Sequence, residues 1–176
     1  MTVEHESGAG RSRAFANLVF GAGGAIAGTV YGTVVAMATL TAAYASEKHP
    51  WKLAVIVAST ALVLWLAHLH AHGLSESITE GRKLTRTDVR AVARRELGIL
   101  LAAAGPVAAL ILGAVGLLGD TAAVWLAFGI GLGILAAEGL RYGRLERAGL
   151  GGTLLAMSIN LALGLAVVGL KVALAH

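Results

Sequence analysis

The chain has 176 residues, 57% of them hydrophobic, and a formal net charge of +4 at pH 7. Its mean hydropathy of +0.77 leaves too little polar surface to clothe a water-soluble globule, so the chain belongs in a bilayer. Cysteine is absent, which excludes disulfides, thiolate metal sites and cysteine nucleophiles.

Crossing the hydrocarbon takes about 20 apolar residues per helix, and five stretches are long enough: roughly 18–45, 51–72, 97–118, 121–141 and 150–174. They are continuously apolar where barrel strands would alternate, so the expected fold is an all-α integral membrane protein with five transmembrane helices. Residues 1–13 read as a short disordered cytoplasmic tail and 14–176 as a single five-helix transmembrane domain. The first stretch is longer than the core of a signal peptide and follows Glu4 and Glu6, so it is expected to stay as a helix.

In that first stretch Gly24, Gly28 and Gly32 recur every four residues and form one smooth stripe, a helix-packing face inside the bundle or at a dimer interface. "GAGGAIAG" is no phosphate-binding loop, because no strand precedes it. His49, Pro50 and Trp51 then mark a turn, with Pro at a helix start and Trp in the interfacial belt.

The second stretch ends in "LWLAHLHAHGLSES". If its helix continues through residue 80, a spacing of four puts His68, His72, Glu76 and Glu80 on one stripe, with His70 on another face. Two histidines four apart can share a metal and a carboxylate one turn on can join them, which suits Fe²⁺, Mn²⁺, Zn²⁺ or Co²⁺. The candidate metal ligands are therefore His68, His70, His72, Glu76 and Glu80. The plainer alternative is that these histidines meet only the helix C-terminal dipole and lipid headgroups.

Residues 74–96 form a cytoplasmic connection. Its second half, "TRTDVRAVARREL", places Val89, Val92 and Ala93 on one face and Arg86, Arg90 and Arg94 on another, an amphipathic helix for the inner headgroup surface. In the third stretch Pro106 should kink the helix unless neighbours satisfy the freed carbonyl. The fourth repeats Gly129, Gly131 and Gly133 and then carries Glu138, which either pairs with Arg141 three residues on or serves as a carboxylate in a transport path. Asn160 in the fifth is interhelical glue or a second polar group in that path.

Lys and Arg set the orientation. With the N-terminus inside, the inner face receives Arg11, Arg13, Arg82, Lys83, Arg86, Arg90, Arg94, Arg95, Arg141, Arg144 and Arg147, and the outer face only Lys48, Lys52 and Lys171. The topology is N-inside and C-outside. The basic balance is an attraction to anionic lipid headgroups on the inner face, with no need of nucleic acid.

The order of parts resembles the vacuolar iron transporter family: five helices, an acidic polar segment after the second and a short basic loop before a glycine-containing last one. "NLVFGAGGAIAGTV" is similar to the family's "FGANDGIVTT", and "HLHAHGLSES" to its "SMAAGEYLS". "GRLERAGLGGTLLAMSINLALGLAVVGL" extends the likeness to the C-terminus. The chain departs from the pattern where it matters for metal: the family's first aspartate falls at Gly24, its methionine at His70 and its glutamate at Leu74. The resemblance implies a homodimer with the ion path between subunits, a divalent metal as substrate and no tightly bound cofactor.

The expected function is a small divalent metal-ion transporter, with metal/proton exchange, in a bacterial plasma membrane. The alternatives are a non-transporting scaffold or partner subunit and a histidine-gated proton or ion channel. No HExxH motif or nucleophile constellation stands in the sequence, so an enzyme is not expected.

Overall fold

A hydrocarbon solvent offers the backbone no hydrogen-bonding partner, so a spanning segment must pair its own N–H and C=O groups, and a helix does this within one segment. The computed structural model describes residues 22–80 and 85–174. The helices are α1 (Ala22–Ser46), α2 (Pro50–Glu80), α3 (Arg86–Arg95), α4 (Leu97–Ala114), α5 (Asp120–Leu145) and α6 (Gly149–Leu174), and no strand occurs among the described residues. All but α3 are long and apolar enough to cross a membrane, the make-up of a multi-pass integral membrane protein. The expected tail, residues 1–13, lies outside the described residues, as do Arg82 and Lys83.

Local chemistry explains the ends. Pro50 opens α2, where its missing N–H costs nothing. The helix then runs to Glu80, well past the expected limit at 72, because hydropathy marks where the membrane-like segment ends and not where the hydrogen-bond ladder ends. The first third of the 74–96 connection is therefore the last two turns of α2. Thr85 caps α3 through a capping box: Asp88 N–H donates to Thr85 Oγ1 at 3.3 Å, and Thr85 N–H donates to Asp88 Oδ2 at 2.8 Å. The apolar stretch expected over 97–118 stops as a helix at Ala114. Gly116, at φ 78°, takes the left-handed turn, and Leu117 N–H reaches back to Leu112 O at 3.0 Å. The same closure ends α5, with Ala148 N–H on Gly143 O at 3.1 Å, but here the left-handed residue is Arg147, at φ 51°.

α4 occupies the middle of the bundle, packed on α1, α2 and α5, while α6 lies against α5 and α1. It runs unbroken through Pro106, which is buried. The core is Met37 and Leu40 from α1, Leu53 and Val57 from α2, Leu110 from α4, and Phe128 and Leu135 from α5. In lipid such a core is held by close packing, not by exclusion of water, so small residues decide how near the backbones come. A Cβ at Gly32 would stand 2.8 Å from the Ile99 Cα of α4, and one at Gly139 2.6 Å from the Met157 Cα of α6. Gly143 sits equally close to Thr153, so α5 meets α6 through Gly139 and Gly143. Of the repeat at Gly129, Gly131 and Gly133, only Gly131 is in close contact, against Met37. The outer face of α6 is apolar and open, with Leu150, Leu154 and Leu155 exposed.

Candidate functional site

α1 and α2 are consecutive helices joined by the short turn at 47–49. At about 1.5 Å per residue, His72 lies roughly 33 Å along α2 from Pro50, about one hydrocarbon thickness from the turn. The histidines thus stand at the far end of the span, beside the start of α4.

What they meet there is Glu96. This residue is at once the C-cap of α3 and the N-cap of α4, and it is only 6% exposed. His72 Nδ1 stands 3.2 Å from Glu96 Oε1. The carboxylate also sits at the positive end of the α4 dipole, which lowers the cost of burying it. Opposite lies Gly28 of α1, where an added Cβ would come 3.9 Å from Glu96 Oε2. Gly28 and Gly32 are both buried against α4 of the same chain, so these two glycines pack inside the bundle; the side-chain position of Gly24 lies outside the described residues.

His68, one turn below, has Nδ1 3.0 Å from the Leu64 carbonyl. A carbonyl only accepts, so Nδ1 carries the proton and a neutral ring keeps its Nε2 lone pair available. Its ring lies 5.3 Å from that of Tyr31 and 6.1 Å from that of His72. The result is a small polar group, Tyr31, His68, His72 and Glu96, contributed by α1, α2 and the α3–α4 junction.

The remaining candidates lie elsewhere. Glu76, one turn beyond His72, accepts from Arg95 Nη2 at 3.4 Å. Consecutive residues Arg95 and Glu96 therefore engage residues one turn apart on α2, Glu76 and His72. His70 is on another face, in a groove between α2 and α3. Glu80 closes α2, and its side chain lies outside the described residues. Of the proposed ligands whose side chains are described, His70 and Glu76 have their own surroundings apart from the His68–His72 pair, and among the described residues no group of three or more His, Asp or Glu gathers at metal-binding distances. Glu138 is largely buried with Arg141 Nη1 3.5 Å away, the partner expected at i+3. Asn160 donates to the Leu135 carbonyl at 3.2 Å and ties α6 to α5, the role of interhelical glue.

Glu96 and Tyr31 were not among the sequence candidates. The signal for Glu96 was present: with Val89, Val92 and Ala93 it completes the i, i+3, i+4, i+7 stripe that α3 turns inward, and a carboxylate on an apolar stripe calls for a partner. Tyr31 carries no comparable signal.

No protein-family model, curated protein or solved structure matches this chain.

Proposed function

We propose that the chain is a small membrane carrier that exchanges a divalent metal ion for protons, as its resemblance to vacuolar iron transporters implies, with its N-terminus and its loading site on the inner side. The observation that carries this reading is the buried Glu96 carboxylate 3.2 Å from His72, with His68 one turn away and its Nε2 free to accept. A metal cargo binds neutral imidazole and ionised carboxylate, so loading releases protons and protons displace the cargo. The orientation rests on the basic residues Arg86, Arg90, Arg94, Arg95, Arg141, Arg144 and Arg147 at the α3 end and the α5–α6 turn. A C₂ dimer belongs to the same reading, and with Gly28 and Gly32 used within the bundle its contact falls on other faces.

The paired contacts Arg95–Glu76 and Glu96–His72 favour one other reading, a non-transporting scaffold in which they only pin α3 and α4 to α2. Uptake of Fe²⁺, Mn²⁺, Zn²⁺ and Co²⁺ into proteoliposomes, with and without a pH gradient, separates the two. A carrier gives saturable uptake that depends on the gradient; uptake no greater than into empty liposomes rejects the carrier for those ions.

A further inference from the structure

The groove holding His70 is a separate feature. It measures about 450 Å³ and runs between α2 and α3, with Leu66, Leu69, Gly73 and Leu74 on α2 and Val89 and Val92 on α3 among its walls. Leu66, Leu74 and Val89 remain 49%, 55% and 40% exposed. Along α2 the lining changes in character: Leu66 and Leu69 lie toward the membrane-length middle, and Ser77 lies two to three turns further, at the end where the span finishes.

Two cations stand on α3 beside the groove residue Val89, outside the lining itself. Arg86 and Arg90 are exposed and lie on the flank of α3 next to Val89, three residues before it and one after it. Neither forms an ion pair with a carboxylate among the described residues. An apolar groove with two exposed guanidinium groups on the adjoining helix suits one class of molecule, an amphiphile with an acyl chain and an anionic head. Guanidinium binds phosphate through parallel hydrogen bonds, and basic pockets at this depth are where lipid phosphates lie.

We propose that this groove binds one anionic phospholipid, with an acyl chain along Leu66 and Leu69 and the phosphate held by Arg86 and Arg90. Ser77 and His70 are the polar residues of the same lining. The site is independent of the His72–Glu96 pair, so it stands whether or not the chain carries metal.

Native mass spectrometry of the detergent-solubilised full chain tests it, with added phosphatidylglycerol or phosphatidylcholine of the same acyl composition. The wild type is expected to hold one phosphatidylglycerol roughly tenfold more tightly than phosphatidylcholine, the size of effect that charge-assisted hydrogen bonds to phosphate supply. The double variant Arg86→Gln, Arg90→Gln, whose exposed side chains take no part in the core, should bind the two lipids equally. Val89→Trp, which fills the slot from the α3 side, should weaken both. Equal binding of the two lipids by the wild type, or undiminished phosphatidylglycerol preference in the arginine double variant, overturns the proposal. Circular dichroism and elution volume establish that each variant is folded.

Discussion

Glu96 concentrates the physical tension in this molecule. A carboxylate that is nearly inaccessible costs several kcal/mol to desolvate unless it is partnered, and here, at the start of α4, the partner is His72, 3.2 Å away. Removing His72 leaves the carboxylate without an ion-pair partner among the described residues. His72→Ala should therefore lower thermal stability in detergent by about 1–3 kcal/mol, whereas His70→Ala, in the open groove, should change it by less than about 0.5 kcal/mol; equal effects would contradict this placement. Arg147 presents the opposite case, since a non-glycine residue in the left-handed region costs about 1 kcal/mol. Arg147→Gly should raise the midpoint of thermal unfolding, and a fall would show that the arginine side chain compensates for its own backbone. At the other end of the bundle, the Glu47 carboxyl is held below its ordinary value by the hydrogen bond from Lys52, at 2.9 Å, and then by the His49 N–H. A depressed carboxyl contributes stability above its ordinary pKa and loses it as pH falls through the lowered value. Unfolding curves from pH 7 to pH 3 should therefore show a small acid-side loss that Glu47→Gln lacks.

Between elements, contact distance is set by what is missing from side chains. Because Gly32 lies over the backbone of Ile99, with no flexible tip to move aside, even one added carbon must push α1 from α4. Gly32→Ala should cost about 1–3 kcal/mol, read as a lower unfolding midpoint, while Gly133→Ala, with open space around its Cβ position, should be neutral or slightly stabilising. The glycine periodicity of α1 was legible because a spacing of four maps directly onto one helix face. Gly139 and Gly143 share that spacing and meet α6, whereas Gly129 and Gly133, also four apart, have open space at their Cβ positions, and spacing alone does not tell the two pairs apart. Likewise the α3 boundary was written in Thr85 and Asp88, a capping pair with Asp in the place usually held by Glu or Gln.

Over the whole molecule, the five membrane-length helices could be read from the chain because hydropathy is a local sum, indifferent to how helices later pack. The site could not be read so directly. Spacing on α2 alone favoured a single stripe through His68, His72, Glu76 and Glu80, but packing gives Glu76 to Arg95 and supplies His72 with a carboxylate from residue 96. That partnership depends on the turn between α3 and α4, which brings distant sequence together and leaves no local pattern beyond a charge on an apolar stripe. The proposed carrier rests on this pair more than on the number of histidines. The decisive measurement is gradient-driven metal uptake into proteoliposomes by the wild type and by His72→Ala, Glu96→Gln and His70→Ala, each shown to be folded and inserted. The account predicts uptake by the wild type and His70→Ala, and a loss of at least tenfold, about 1.4 kcal/mol in transition-state or binding free energy, in both His72→Ala and Glu96→Gln. Uptake that survives both changes, or that depends on His70 instead, would contradict it.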